Sequence, residues 1–269
     1  MKIQGLQKLT LLDYPGKIAC TVFLGGCNFR CPFCHNGGLA LDNDADGIMS
    51  VDELLAFLDS RRGRLQAVCI SGGEPTLHHD LPELISEIKS RGFEVKLDTN
   101  GTNPEMLSLL IADGLIDYVA MDIKNSPEKY ALTAGVGECR VQNAKWTPST
   151  AIENPQNSFH SFQGTPCGPP PSRGRLNAEL FIEKVKKSVA ILMENRVDFE
   201  FRTTLTKELH SAEDIEIIGK WLSGSEKYFL QTYRDEGDLL VGGFTAFTPE
   251  ETKELLSVLK VYIPNAEIR

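Results

Sequence analysis

The chain has 269 residues, of which 41% are hydrophobic and 24% are charged, and its formal net charge is −9 at pH 7. This length suits one domain with a sizeable core and is short for two. The acidic balance disfavours nucleic acid or an anionic membrane surface as a partner, because either would need clustered basic residues. No apolar run could span a bilayer and no leader-like segment precedes the first strand residues, so a cytoplasmic protein is expected.

Short apolar runs alternate with amphipathic segments along most of the chain. The apolar runs predict six buried strands, at residues 18–24, 67–70, 93–97, 118–121, 197–203 and 228–231. Helices are predicted at residues 50–62, 81–91, 104–112, 178–194, 211–222 and 249–261. This alternation indicates an α/β fold with a parallel sheet. Six β/α units, rather than eight, indicate an open partial (β/α)6 TIM-like barrel with its chemistry at the carboxyl ends of the strands.

Residues 135–177 interrupt this alternation. Six of the fourteen prolines lie between Trp146 and Pro171, among Ser, Asn, Gln and Gly residues with almost no aliphatic ones. Such a segment cannot bury enough apolar area to offset the entropy of ordering, so we expect one domain over residues 1–269 with a disordered insert. Cys139 and Cys167 lie in this insert, and we interpret them as incidental thiols because a second cluster would need about four cysteines.

Three cysteines, Cys27, Cys31 and Cys34, have the spacing C-x3-C-x2-C. Thiolates bind a cubane [4Fe–4S] cluster, and three of them leave one iron open to a small molecule. Zinc would need another ligand, and His35 directly follows Cys34, where it would strain a tetrahedral site. A disulfide frame is disfavoured because three cysteines cannot pair among themselves and nothing marks the chain as secreted. Buried structural cysteines are rarely so bunched, so the open cluster is the favoured interpretation.

Polar motifs follow three of the predicted strands. Ser71-Gly72-Gly73-Glu74-Pro75 ends the second strand, Leu97-Asp98-Thr99-Asn100-Gly101 the third and Met121-Asp122-Ile123-Lys124 the fourth. The first two could be simple turns. Glycine, however, also permits close approach to a ligand. Two inward carboxylates at adjacent strand ends, Asp98 and Asp122, would repel each other unless a free cation, Lys124 or a positively charged ligand lay between them.

The segment Gly25 to Asn36 resembles the cluster loop of the radical S-adenosylmethionine (SAM) superfamily. Together with Leu12-Asp13-Tyr14-Pro15-Gly16-Lys17, it is similar to the activating enzymes of glycyl radical enzymes, and most of all to those of anaerobic ribonucleoside-triphosphate reductase. The resemblance covers most of the chain outside residues 135–177, a segment that such enzymes do not usually carry. It implies a [4Fe–4S] cluster on the three bunched cysteines, with SAM at the open iron.

The resemblance also implies roles for the glycine motif and for the motif after the third strand. Gly72, Gly73 and Glu74 match a "GGE" motif, which contacts the amino group of SAM's methionine. That ammonium needs acceptors, which backbone carbonyls and a carboxylate provide. The residues Asp98-Thr99-Asn100 match a "DTNG" stretch that faces the SAM pocket.

The motif after the fourth strand is expected beside both SAM and the incoming substrate. Asp122 and Lys124 match a "D-[LI]-K" motif with this position in the activating enzymes, and we expect them to be the catalytic residues. Asp98, Thr99 and Asp122 also match positions that help to hold a monovalent cation in the pyruvate formate-lyase activator. A monovalent cation is therefore a further expected cofactor.

Four other side chains are candidates for the site or its surroundings. The resemblance implies that Phe33 packs near the adenine of SAM. His35 could hydrogen-bond the ligand or cap the loop. Arg202 could face the carboxylate or ribose of SAM, or it could form an ion pair with another carboxylate of the barrel. His210 is interpreted as a surface residue.

The resemblance implies reductive cleavage of SAM, which gives methionine and a 5′-deoxyadenosyl radical that abstracts hydrogen from a glycine Cα of a partner enzyme. The expected partner is anaerobic ribonucleoside-triphosphate reductase, and the expected electron donor is a flavodoxin or ferredoxin. Three alternatives remain open. The chain could activate a pyruvate formate-lyase-like enzyme, act on a small molecule as deazaguanine-forming relatives do, or be a non-catalytic iron or zinc module.

Overall fold

One sheet of eight strands runs through the part of the chain that the structure describes. This computed structural model describes residue 1 and residues 3–41, 47–136, 172–235 and 239–269. The first strand pairs antiparallel with the second, and every later neighbour is parallel. In chain order the strands are β1 (Ile3–Thr10), β2 (Ala19–Leu24), β3 (Ala67–Gly72), β4 (Glu94–Thr99), β5 (Tyr118–Asp122), β6 (Asp198–Leu205), β7 (Tyr228–Thr232) and β8 (Glu267–Ile268).

Helices connect the parallel strands, as a parallel sheet requires. Capping boxes begin three of the longer ones, at Ser50, Ser211 and Thr248, where each side chain accepts from the backbone N–H three residues later. In chain order the helices are α1 (Gly37–Leu41), α2 (Val51–Ser60), α3 (Leu81–Ser90), α4 (Pro104–Ala112), α5 (Tyr130–Thr133), α6 (Ser172–Met193), α7 (Ala212–Trp221) and α8 (Pro249–Lys260). Among the described residues, no helix is both long and apolar enough to cross a bilayer.

The predicted fold class is confirmed: β2 to β7 are the six expected parallel strands, and the sheet ends at β1 and β8 without closing. The sequence reading missed β1 because this strand pairs on one side only and lacks an alternating burial pattern. Helix α6 begins at Ser172, six residues before its predicted start. Residues 137–171, with Cys139 and Cys167, lie outside the described residues, so the insert remains a prediction.

The two faces of the parallel strands differ in polarity. On β4, Val95 and Leu97 belong to the main hydrophobic core, which packs beneath the helices. The alternate residues Lys96 and Asp98 form an ion pair with each other instead. Because side chains alternate along a strand, one face builds the core and the other lines the concave interior of the open barrel. This interior is unusually polar, and it continues to the carboxyl ends of the strands.

A small aromatic cluster closes the interior at the amino ends of the strands. Tyr14, from the motif at residues 12–17, packs against Tyr118 with ring centroids 5.8 Å apart. The Tyr118 hydroxyl donates to Glu200, which is fully buried and also pairs with Arg269 at 2.8 Å. The motif at residues 12–17 is therefore part of the barrel floor, at the amino ends of the strands.

We expect Glu200→Ala to lower the free energy of unfolding by about 2 kcal/mol, because the buried Tyr118 hydroxyl would lose its acceptor. Urea unfolding monitored by circular dichroism measures this change. Glu216→Ala is the control, since Glu216 pairs with Lys220 on the surface and its loss should leave stability within error. Equal effects of the two substitutions would contradict the role given to the floor.

Candidate active site at the carboxyl ends of the strands

The loop after β2, residues 25–36, carries the three bunched cysteines and is held by backbone hydrogen bonds from two directions. The Arg30 N–H donates to the Ala134 carbonyl at the end of α5, at 2.9 Å. The Val241 N–H donates to the Pro32 carbonyl, also at 2.9 Å. Gly135 has a positive φ, and a Cβ there would lie 2.1 Å from the Arg30 carbonyl oxygen. The loop therefore has a fixed backbone, which is what a preformed ligand set needs.

Cys27, Cys31 and Cys34 are free thiols on this loop. Burial raises the pKa of Cys31 to about 12 and that of Cys27 to about 11, so both are protonated until a metal displaces the protons. The described residues contain no group of three or more His, Cys, Asp and Glu that converges on a single ion. Thiolates of an iron–sulfur cluster bind different irons and need not converge, so this donor set fits a cluster better than a zinc ion.

The glycine motif at the end of β3 lies directly against the start of the cysteine loop. The N–H groups of Gly73 and Glu74 donate to the carbonyls of Leu24 and Gly26, each at 2.8 Å. A Cβ on Gly72 would lie 2.2 Å from the Leu24 oxygen, and one on Gly73 would lie 2.0 Å from the Gly26 oxygen. In this structure the two glycines are thus required by backbone packing, and their contact with SAM remains a prediction.

Glu74 is buried and joins the glycine motif to the motif after β4. Its carboxylate accepts from the Thr76 N–H and hydroxyl, from the Thr99 hydroxyl at 2.7 Å and from the Asn100 N–H at 2.6 Å. Burial raises the pKa of Glu74, and the hydrogen bonds from these donors oppose that shift. A carboxylate has about four acceptor positions, so its capacity is already used within the protein. Glu74 therefore positions Thr99 and Asn100.

Asn100 connects this hydrogen-bonded group to the first cysteine. Its Oδ1 accepts from the Thr102 N–H at 3.0 Å and from the Thr102 hydroxyl, which fixes the orientation of the amide. Its Nδ2 then donates to Asn28 at 2.9 Å and to the Cys27 Sγ at 3.8 Å. The Phe29 N–H also donates to this sulfur, at 3.4 Å. Such donors stabilise a thiolate and tune a metal cluster that it binds. Asn28 and Thr102 were not among the residues expected from the sequence.

An ionic group occupies the interior face at the same strand ends. Arg202 lies between the two carboxylates, 2.9 Å from Asp122 and 3.6 Å from Asp98. Lys124 pairs with the other oxygen of Asp122 at 2.9 Å, and Lys96, two residues earlier on β4, contacts Asp98. Although burial opposes ionisation, Arg202 with Lys124 and Arg202 with Lys96 hold the pKa values of Asp122 and Asp98 below their ordinary range. Of the two roles considered for Arg202, this structure shows the ion pair.

Phe33 and His35 face the wall made by the segments after β6 and β7. Phe33 is buried, with ring centroids 6.4 Å from His210 and 6.1 Å from Phe244. His35 stacks on Tyr233 at 5.4 Å, and its Nε2 lies 2.6 Å from the Arg234 carbonyl. These contacts support the loop-capping role of His35, whereas the packing of Phe33 against adenine remains a prediction.

The interpretation of His210 as a surface residue is wrong. His210 is buried, its Nε2 donates to the Lys124 carbonyl at 2.9 Å, and its Nδ1 accepts from the Thr206 N–H at 3.1 Å. Burial lowers the pKa of His210, so a neutral imidazole fixes the backbone of Lys124. Isolated from any motif in the sequence, this histidine gave no signal of its position. Lys96 was also missed, although a lysine within an apolar strand and two residues before Asp98 was a usable signal.

The sequence family described as the Radical SAM superfamily matches residues 21–158, which include the cysteine loop and all three strand-end motifs. A protein of Methanocaldococcus jannaschii named "Putative glycyl-radical enzyme activating enzyme MJ1227" is 32% identical over 270 residues, which cover 99% of this chain and 95% of that protein. A Sulfolobus acidocaldarius protein named "Probable GTP 3′,8-cyclase" is 40% identical over 100 residues, or 36% of this chain and 31% of that protein.

The fold is also shared with solved structures. Streptococcus suis SuiB bound to S-adenosylmethionine superposes with a TM-score of 0.57 at 14% identity, over 93% of this chain. The chain spans about half of SuiB, 51% of its length, so this likeness concerns the fold of the shared part. The family match and the full-length relative together identify the family of this chain. The chain belongs to the radical SAM superfamily, whose members use a [4Fe–4S] cluster and S-adenosylmethionine.

Proposed function

We propose that this radical SAM enzyme is an activase that generates a glycyl radical on a partner enzyme. The observation that carries the proposal is the junction of the cysteine loop with the strand-end motifs, through Glu74, Asn100 and Cys27. The full-length relative named as a glycyl-radical enzyme activating enzyme supports the same reaction class. In this proposal Cys27, Cys31 and Cys34 bind the [4Fe–4S] cluster, and SAM binds at the carboxyl ends of β3 to β6.

Held by Cys27, Cys31 and Cys34, a reduced [4Fe–4S] cluster would supply one electron for cleavage of the bond from sulfur to C5′ in SAM, which would give methionine and an adenosyl carbon able to remove a hydrogen atom from glycine. The residues of the chain bind, orient and exclude water. Asn100 donates to the Cys27 sulfur, and Glu74 keeps Asn100 in place. Asp122 and Lys124 have charged groups at the strand ends, where they can orient both SAM and the substrate backbone.

Backbone carbonyls of the glycine motif are proposed to accept the ammonium of SAM's methionine, since the Glu74 carboxylate already accepts from four donors. Arg202, held by Asp98 and Asp122, can receive the carboxylate of the ligand. Phe33 is proposed to lie beside the adenine. A monovalent cation at Asp98 and Asp122 would have to share these carboxylates with Lys96, Arg202 and Lys124.

An open sheet admits a protein loop as substrate more readily than a closed barrel would. The described strands end at β1 on one side and at β8 on the other, without pairing between them. Anaerobic ribonucleoside-triphosphate reductase is the proposed partner, and a flavodoxin or ferredoxin is the proposed electron donor. A cytoplasmic location fits this function, because seven cysteines suit a reducing compartment.

A small-molecule substrate is the second candidate. It is favoured by the 100-residue match to a protein named as a GTP 3′,8-cyclase, although that match covers 36% of this chain. The two candidates share the cluster and SAM and differ only in what gives up the hydrogen atom. A pyruvate formate-lyase-like partner is an alternative within the first candidate.

Substitution of Cys27, Cys31 or Cys34 by Ala should abolish the brown iron chromophore and SAM cleavage, because each removes a proposed ligand. Iron content and 5′-deoxyadenosine formation with dithionite, both under strict exclusion of oxygen, measure the two losses. Cys20→Ala is the matched control, since Cys20 is a fully buried core thiol on β2 and should retain iron. An active Cys31→Ala protein would refute the ligand assignment.

Asp122→Asn should weaken SAM binding about tenfold while leaving the iron content unchanged, because Lys124 and Arg202 would lose their charged partner. Glu74→Gln should also weaken binding. Its NH2 group is a donor and would replace one of the two oxygens that accept from the Thr99 hydroxyl and the Asn100 N–H. Equilibrium dialysis of SAM against the reconstituted proteins measures both effects. Affinity equal to that of the unsubstituted enzyme would remove these residues from the site.

The substrate class can be tested with the reduced enzyme, SAM and either purified anaerobic ribonucleotide reductase or GTP. A glycyl radical on the reductase, seen as an EPR doublet, with one 5′-deoxyadenosine formed per radical, is the expected result. A reductase in which the radical glycine is replaced by alanine should give no doublet. Turnover of GTP without a protein radical would favour the second candidate.

A further inference from the structure

Lys96 is a buried lysine in the interior of the open barrel. Its side chain is 1% exposed, and it lies in β4 beside Cys69 of β3 and Tyr118 of β5. Its ammonium contacts Oδ1 of Asp98. An isolated lysine is strongly disfavoured in such a place, so its retention depends on the carboxylate that it pairs with.

Cationic side chains contact three of the four carboxylate oxygens of the two strand-end aspartates. Asp98 Oδ1 takes both Lys96 and, at 3.6 Å, Arg202. Asp122 takes Arg202 on one oxygen and Lys124 on the other, each at 2.9 Å. Three fixed cations thus surround two carboxylates. A further free cation would add charge to a set that is already positive, and to bridge both aspartates it would have to share Asp122 with Arg202 or Lys124.

The hydroxyl of Thr99, the third residue expected at a monovalent cation, already has two hydrogen-bond partners. The Thr99 hydroxyl donates to Glu74 at 2.7 Å and accepts from the Gly101 N–H at 3.1 Å. Thr99 also follows Asp98 directly on β4, so the two side chains leave opposite faces of the strand. The residues Asp98, Thr99 and Asp122 therefore do not fit a shared potassium or sodium ion in this structure.

We infer that Lys96 is the built-in cation of this site and that its ammonium takes the place of a free monovalent ion. The inference rests on the proposed binding of SAM at the same strand ends. Lys96 acts as a positioning residue: it holds Asp98, which holds Arg202, and Arg202 and Asp122 face the ligand. Because the cation is covalently attached, SAM affinity should not depend on which monovalent salt is present.

The test measures SAM affinity of the anaerobically reconstituted protein in potassium, sodium or N-methyl-D-glucamine chloride at one ionic strength. The unsubstituted protein should bind equally in all three. Lys96→Ala should lose at least tenfold in affinity in N-methyl-D-glucamine and recover in potassium, because the shortened side chain leaves space for a small cation. Lys96→Met should be weak in every salt, since its side chain fills that space without a charge.

Lys89→Met is the matched control, because Lys89 pairs with Asp117 outside the barrel interior at 2.6 Å and should leave both affinity and salt response unchanged. Thermal unfolding without SAM gives a second readout, in which potassium should stabilise Lys96→Ala and not the unsubstituted protein. Potassium-dependent SAM binding by the unsubstituted protein overturns the inference, as does a Lys96→Ala protein with full affinity in N-methyl-D-glucamine. Absence of SAM binding in every salt would instead refute the proposed function itself.

Discussion

The arrangement of the site depends on one buried carboxylate. Within the described part of the chain no cationic side chain pairs with Glu74, and four hydrogen-bond donors stabilise its charge. Those donors come from two different strand ends, so an ionised Glu74 requires β3 and β4 to keep a fixed relation. Since its own N–H donates to Gly26, the same residue also fixes the start of the cysteine loop. Residue 74 thus connects the two strand ends through its carboxylate and the cysteine loop through its backbone N–H.

Strand alternation lets β4 serve two separate groups of side chains. Its even residues, Lys96 and Asp98, enter the ionic group in the interior, whereas Thr99 enters the hydrogen-bonded group around Glu74. Asn100 then carries that group to Cys27. A shift of one residue in the register of β4 would exchange the two groups and destroy both. The parallel pairing of β4 with β3 and β5 is thus as important to the chemistry as the motif itself.

The sequence was sufficient for the parts of the fold and site that have a local pattern. The six apolar strands, the helices between them and the positions of the strand-end motifs follow from periodicity and from turn chemistry. Contacts across the barrel have no such pattern. Arg202 forms an ion pair with Asp122, and His210 is buried against the Lys124 carbonyl. Both contacts join residues more than 75 positions apart in the chain. Only the tertiary structure brings those neighbours together.

The ionic group at the strand ends has three cationic side chains and two carboxylates, so its net charge is positive beside the cysteine loop. The charge of Lys124 acts on the Cys27 and Cys31 thiols and favours their ionised form against the strong opposing effect of burial. Three thiolates would bring more negative charge to this edge than a bound cluster core neutralises, and an interior with balanced ion pairs would offer nothing to offset it. Lysine and arginine side chains tethered to β4, β5 and β6 supply that positive charge permanently. The ionic group and the cysteine loop therefore complement each other electrostatically, because the net positive charge of the first opposes the net negative charge that the second would acquire on binding a cluster.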